Sequence, residues 1–198
     1  MGAAVNWIDE LAANAVYKIE LSGGQRRLKE AILYVCQKSA DMERFGAIKL
    51  NKILWRADFR SYFERLTPVT GRQYQRIKLG PAPVEMAPVV NEMLRDHLLR
   101  IDPRQIGPHV EARHVALVDP VLNFFSPDDL KYWDEAISHY WNMTGAETSD
   151  HSHGIAWRSR ENGDPMPYQS AFFEDEPLPP AGLSRFASMA HEKGWHSD

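Results

Sequence analysis

The sequence predicts an α+β protein that is predominantly helical, with about five to seven helices around a small two- or three-stranded antiparallel sheet. Apolar residues recur with the helical period over residues 25–38 and 47–66. Residues 72–79 and 113–119 instead alternate in the manner of short strands. The 198 residues, 43% of them hydrophobic and 25% charged, have the composition of an ordinary globular protein.

The first half of the chain is expected to be helical. Residues 1–21 are weakly helical and end at a Ser-Gly-Gly sequence. Residues 47–66 form the longest helix, which stops at the Thr-Pro-Val-Thr-Gly sequence ending at Gly71, because proline cannot continue a helix and glycine suits a turn. Residues 25–38 form an amphipathic helix with apolar side chains at positions i, i+3, i+4 and i+7: Leu28, Ala31, Ile32 and Val35.

Shorter elements are expected after this turn. Residues 72–79 are predicted to form a strand, and the Gly-Pro-Ala-Pro sequence that follows is predicted to form a rigid corner. Residues 84–100 are predicted to be helical. Residues 101–110 contain two prolines and a glycine and are predicted to form a loop, and residues 113–119 are predicted to form a second strand.

The last third begins with a clear helix signal. Ser126 precedes a proline and two aspartates, which favours an N-cap at Ser126 and a helix to about residue 143. The Thr-Ser-Asp sequence beginning at Thr148 is predicted to cap a short helix that ends near residue 159. Residues 161–183 are rich in proline, glycine and acidic side chains and are predicted to be coil.

These elements predict three regions. A helical extension covers residues 1–24, the main domain covers residues 25–170, and an acidic, proline-rich coil with room for one short helix covers residues 171–198. No stretch is apolar enough to span a bilayer, and the N-terminus lacks the basic and apolar regions of a signal peptide. The single cysteine, Cys36, precludes an internal disulfide and is expected to be buried. We therefore predict a cytoplasmic protein without a membrane partner.

The charge is divided unevenly along the chain. Residues 26–78 hold 13 Lys and Arg against 5 Asp and Glu, whereas residues 79–198 hold 9 against 19. The basic half could serve an acidic protein or a nucleic acid, or the two halves could neutralise each other across the fold.

The helix over residues 47–66 carries two apolar arcs, one centred on Leu50 and one on Trp55, so it is expected to pack on both sides. Asp58 lies between these arcs and is predicted to be a partly buried carboxylate that ties the helix to the following strand or corner. The remaining face is basic and is predicted to be exposed; it is the candidate partner-binding stripe, formed by Lys49, Lys52, Arg56 and Arg60.

The order of these features resembles the SocA-like Panacea antitoxin domain family, formerly a domain of unknown function with phage-associated members. The resemblance spans roughly residues 28–168. It rests on the leucine, aromatic and Ala-Asp-aromatic positions within residues 49–59 of the long helix, on the turn and corner that follow, and on a late His-x-x-x-Trp helix followed by a Pro-Tyr pair. The residues that carry it are Leu50, Trp55, Asp58, Gly71, Tyr74, Gly80, Pro81, Pro83, His153, Trp157 and Tyr168.

The resemblance implies a bacterial or phage-borne antitoxin that neutralises a cognate toxin by direct protein contact. It implies neither enzymatic activity nor a cofactor, and it implies that the motif residues mostly hold the fold.

Three other functions remain open at this point. The first is an adaptor that delivers a bound client to a cytoplasmic protease. The second is a nucleic-acid-binding regulator that uses the basic residues 26–78, although nucleic acid is not the partner that we expect. The third is a metal-assisted hydrolase that uses Asp58 or His153, with His151 and Asp150 as possible further ligands. The spacing of His153 and Trp157, one helical turn, favours a packed aromatic pair over a metal site.

Overall fold

A computed structural model of the protein describes residues 15–173, 184, 187–188 and 191–192. Within residues 15–173 it contains six α-helices, five strands and one 3-10 helix. The elements in chain order are α1 (Arg26–Lys38), α2 (Ala47–Arg65), β1 (Tyr74–Ile77), β2 (Gly80–Pro83), α3 (Met86–Arg95), β3 (Leu99–Ile106), β4 (His109–Ala116), α4 (Pro127–Tyr140), α5 (Gly145–His151), α6 (Ile155–Arg158), β5 (Pro165–Met166) and the 3-10 helix (Tyr168–Phe173).

The predicted fold class is confirmed, and the strands form two sheets rather than one. The first sheet has the order β2-β1-β5 and is antiparallel throughout, and the second is the β3-β4 hairpin. No helix among the described residues is long and apolar enough to cross a bilayer.

The central helix α2 is packed on both sides, as predicted. One side contributes Leu50, Ile53 and Ala57 to the larger core cluster, which also contains the apolar face of α1 and the buried thiol of Cys36. The other side contributes Trp55 and Phe59 to a smaller, largely aromatic cluster with Tyr74 and Tyr168. Because both sides are covered, α2 fixes the relative positions of the two clusters.

Two predictions in the middle of the chain are wrong. Residues 101–110, predicted as a loop, belong mostly to β3 and to the start of β4, which pair along their full lengths from Leu99↔Ala116 to Ile106↔His109. The Gly-Pro-Ala-Pro corner is strand β2. Its prolines are compatible with a strand because β2 lies at the edge of its sheet and pairs with β1 alone.

The ends of the main domain also differ from the predictions. Residues 15–21 carry no helix, and residues 1–14 lie outside the described part of the chain. Ser126 caps α4 in a capping box with Asp129, as predicted, but the next helix is capped by Thr144 rather than Thr148. Part of the predicted 161–183 coil is β5 and the 3-10 helix.

The turn after α2 depends on Gly71. Its φ is 73°, and the Ile19 N–H donates to the Gly71 carbonyl over 3.0 Å. A Cβ placed on Gly71 would lie 2.2 Å from the Ile19 carbonyl oxygen. The 15–21 segment therefore runs against this turn at a distance that only glycine allows.

Gly71→Ala is expected to destabilise the protein by about 2–4 kcal/mol, because it adds a backbone clash to the strain of positive φ. The measurement is the free energy of unfolding in urea. Gly107→Ala is the matched control, since Gly107 has a φ of 55° and a Cβ added to it would meet nothing within 4 Å; it should lose only about 1 kcal/mol. Equal losses in the two variants would show that contact with the 15–21 segment is unimportant.

Candidate functional site

The predicted basic stripe on α2 is exposed only in its second half. Lys49 and Lys52 are each 1% exposed, so their prediction as part of an exposed face is wrong. The Lys49 Nζ donates to the Trp141 carbonyl at 3.2 Å, and the Lys52 Nζ donates to the Pro81 carbonyl at 2.7 Å. Both alkyl chains are covered by segments distant in sequence, which the spacing along one helix cannot reveal.

Lys52 is buried without an ion pair in the described part of the chain. Burial lowers the pKa of its ammonium group to about 7. A Cβ on Gly80 would lie 2.2 Å from the Ser152 Oγ and 2.6 Å from the Lys52 Cε, so the backbone of β2 approaches this side chain closely. The Gly80 and Pro81 motif positions thus form part of the Lys52 environment.

Asp58 joins four segments and is fully buried. Its carboxylate accepts hydrogen bonds from the Thr70 N–H at 2.6 Å, from the Thr70 hydroxyl, from the Tyr74 hydroxyl at 2.9 Å and from the Tyr168 hydroxyl at 3.3 Å. Burial raises the pKa of Asp58 to about 6, and the hydrogen bonds act in the opposite direction. Helix α2, the turn, β1 and the 3-10 helix therefore meet at one carboxylate.

The two arginines of the stripe differ in their surroundings. The Arg60 Nε lies 2.6 Å from the Glu64 Oε1, and its guanidinium lies over the Phe63 ring. Arg56 is partly exposed and makes neither a hydrogen bond nor an ion pair with any residue that the structure describes. Arg56 is thus the member of the stripe whose charge the fold leaves uncompensated.

Arg56 stands between two concave surfaces. On one side, Arg56 and Arg60 border an open groove of about 930 Å³ along α4. On the other side lies a smaller pocket of about 210 Å³, named here the tryptophan pocket, between α2, residues 150–158 and the 3-10 helix. Its lining includes Trp55, Arg56, His153, Trp157 and Ser170.

The wall of the tryptophan pocket is built around Trp157. The His153 ring stacks on Trp157 with centroids 3.7 Å apart and planes 14° apart, which agrees with the predicted aromatic pair. The Arg76 guanidinium lies 4.0 Å from the centroid of the same ring. The Trp157 indole N–H donates to the Ile77 carbonyl at 3.0 Å and so attaches α6 to β1. Burial and three nearby cations lower the pKa of His153.

Ser149, His153 and Asp150 have the side-chain types of a serine hydrolase triad. The Ser149 Oγ lies 3.3 Å from the His153 Nε2, and the His153 Nδ1 lies 4.0 Å from an Asp150 oxygen. The Ser149 hydroxyl, however, donates to the Leu79 carbonyl at 3.2 Å, and Ser149 is buried and does not line the tryptophan pocket. This arrangement holds α5 against the turn between β1 and β2 rather than presenting a nucleophile to a pocket.

Within the residues that the structure describes, no group of three or more His, Cys, Asp or Glu side chains could hold a metal ion.

Three residues that contribute to this region were not predicted from the sequence. No local spacing pattern indicated that Thr70 would bond to Asp58 or that Ser170 would line the pocket. None indicated that Arg76 would lie over the Trp157 ring in its wall. Ser170 lies in a segment predicted as coil, and Arg76 had only its place in a predicted strand.

Comparison with protein families gives a match to the family described as antitoxin SocA-like, Panacea domain, over residues 50–158. This match covers just over half of the chain and extends from the first turns of α2 to the end of α6. Searches among curated proteins and among solved structures found no match. Asp58, Gly71, Gly80, His153 and Trp157 all lie within the matched region, and the chain belongs to the SocA-like antitoxin family that is characterised by the Panacea domain.

Proposed function

We propose that this protein is the antitoxin of a bacterial or phage-borne toxin–antitoxin system and that it neutralises a cognate toxin in the cytoplasm by direct binding. The single observation that carries the proposal is the family match over residues 50–158. The protein would act through contact rather than catalysis and would need no cofactor.

The surface that best supports toxin contact is the exposed end of the α2 stripe with its two concave neighbours. Arg56 and Arg60 are available to a partner, whereas Lys49 and Lys52 are buried and are no longer candidates. A groove on one side of Arg56 and a pocket on the other give the depressions that anchor side chains need at an interface.

The distribution of basic residues favours a protein partner over a nucleic acid. Four of the 13 cations in residues 26–78 are buried, and several others are paired with acidic residues, as in Lys29–Glu92 and Arg65–Asp129. A nucleic-acid surface needs several unpaired cations along one face to contact phosphates. The stripe does not meet this condition, because Lys49 and Lys52 are buried and Arg60 is paired with Glu64, which leaves Arg56 alone.

The proposal is tested by co-expression with the product of the adjacent gene. We expect that product to arrest growth when it is expressed alone, and co-expression of this protein to restore growth. The two proteins should elute together in size-exclusion chromatography. A gene product that is harmless alone, or the absence of any complex, would contradict the proposal.

The same strains separate neutralisation by binding from delivery to a protease. An antitoxin that acts by binding alone leaves the half-life of its toxin unchanged or longer. An adaptor shortens that half-life, and the shortening depends on a cytoplasmic protease. Pulse-chase labelling of the toxin, with and without this protein, therefore decides between the two.

A further inference from the structure

The tryptophan pocket has the size of a site for one side chain. Its volume of about 210 Å³ is below the range of roughly 300–1,000 Å³ that holds drug-sized ligands and cofactors. Three separate segments form it, namely α2, residues 150–158 and the region from Met166 to Ser170. The Tyr168 hydroxyl donates to Asp58 on α2, and the Trp157 indole donates to β1, which in turn pairs with β5. The fold itself therefore holds the three segments in place around the pocket.

Two polar atoms of residues lining the pocket lack a partner. The Trp55 Nε1 and the Ser170 Oγ are buried and make no hydrogen bond in the structure, and the two residues are only 7% and 5% exposed. Leaving such a group unpaired costs about 1–3 kcal/mol. An indole N–H can only donate. A group that pairs with the Trp55 N–H must therefore be a hydrogen-bond acceptor.

The charged side chains around the pocket favour an anionic acceptor. Two arginines, Arg56 and Arg158, line it and supply its positive charge. The one acidic side chain in the lining is Asp150, which is 83% exposed and lies near His153. Arg158 donates to the His153 carbonyl at 2.8 Å, whereas Arg56 has no partner among the residues that the structure describes.

We propose that the tryptophan pocket receives an aspartate or glutamate side chain of the toxin, with Trp55 and Arg56 donating to its carboxylate. The identity of the partner rests on the proposed antitoxin function, whereas the chemistry of the pocket does not. A carboxylate accepts several hydrogen bonds at once and pairs with a guanidinium through two parallel bonds. The aliphatic part of the side chain would lie against Phe59 and Trp157.

The binding of a carboxylate to the tryptophan pocket is tested on the full chain without a toxin. The probe is N-acetylglutamate N-methylamide, and the control is the corresponding glutamine compound, which has nearly the same shape and no charge. The six tryptophans give separate indole N–H signals by NMR, and the signal lost in Trp55→Phe belongs to Trp55. We expect the Trp55 signal to shift and saturate with the glutamate compound alone. An unmoved Trp55 signal, or equal shifts with both compounds, would overturn the proposal.

The source of the carboxylate is tested in the toxin complex. We expect Arg56→Glu to weaken the complex by at least about tenfold, since it replaces the guanidinium by a charge of the same sign as the incoming carboxylate. We expect Trp55→Phe to weaken it by about three- to tenfold, since it removes the indole N–H donor. Arg104→Glu, the same charge change on the exposed strand β3, should alter affinity by less than about twofold. Circular dichroism establishes that each variant is folded.

The possible failures are distinguishable. If the wild-type protein forms no complex, the antitoxin function fails, and the NMR titration still decides the chemistry of the pocket. If the complex forms and both pocket variants bind as well as Arg104→Glu, the pocket does not receive a toxin side chain. A lysine substitution of the toxin carboxylate that restores binding to Arg56→Glu would identify the occupant.

Discussion

Asp58→Ala is expected to lower the free energy of unfolding by about 3–5 kcal/mol, the largest loss predicted for a single substitution in this protein. The variant leaves the Thr70 N–H and the Tyr74 hydroxyl buried without their acceptor, and it creates a cavity beside the aromatic cluster. The Tyr168 hydroxyl keeps its other bond, to the Arg72 carbonyl at 2.6 Å. Removing a buried carboxylate recovers part of its desolvation cost, so the loss is smaller than the sum of the broken bonds.

Urea denaturation of Asp58→Ala measures this loss, and Asp41→Ala is the control because Asp41 is exposed. The control should stay within about 0.5 kcal/mol of the wild type. Thr70→Val removes one of the hydroxyl donors but keeps the carboxylate, and it should cost less than Asp58→Ala. If Asp58→Ala is as stable as the control, the carboxylate does not hold the four segments together.

The sequence was sufficient where local signals and tertiary packing agree. The spacing of Leu28, Ala31, Ile32 and Val35 predicted α1, and these four residues are fully buried. The two apolar arcs of α2 predicted packing on both sides, because a helix with two apolar arcs must bury both. The serine before α4 predicted a cap that the structure contains.

The sequence was insufficient where pairing between distant residues overrides local preference. Prolines and a glycine in residues 101–110 favour a loop, but the β4 ladder supplies hydrogen bonds along the whole of β3. The Gly-Pro-Ala-Pro segment also became a strand, since an edge position tolerates prolines. Local preference is a weak guide in both cases because the partner strand decides the outcome.

The candidate site was predicted only in part for a related reason. Helical spacing places Lys49, Lys52, Arg56 and Arg60 on one face, but it carries no information about which segments cover that face. The segment around Trp141 and strand β2 cover its first half, and the second half borders the groove and the tryptophan pocket. The pocket itself requires Ser170 to approach Trp55 across more than a hundred residues of sequence, which no local pattern encodes.

Lys52→Met is expected to change stability with a sign that depends on pH. The folded-state pKa of Lys52 is about 7, below the usual lysine value near 10.5 in the unfolded chain. The unfolded chain therefore binds more protons between these values, and the contribution of Lys52 to stability rises as pH rises from about 7 to about 10. Below pH 7 the folded protein bears the whole cost of burying the ammonium, on the order of 4 kcal/mol.

Methionine removes this cost and also removes the hydrogen bond to the Pro81 carbonyl, which is worth about 1–2 kcal/mol. We therefore expect Lys52→Met to be about 2 kcal/mol more stable than the wild type at pH 6 and about 1–2 kcal/mol less stable at pH 10. Urea denaturation from pH 6 to 10 measures the difference between the two proteins.

The difference, rather than either curve alone, is the quantity to compare, because other groups titrate in the same range. Burial raises the pKa of the Cys36 thiol, so its contribution to stability falls above the usual thiol pKa and opposes that of Lys52 in the wild-type curve. This contribution is common to both proteins and cancels. Lys131→Met, on the exposed face of α4, should give a difference of at most about 0.5 kcal/mol with little slope. A flat difference for Lys52→Met would mean that the buried amine keeps an ordinary pKa, which would require water or an anion to reach it between α2 and β2.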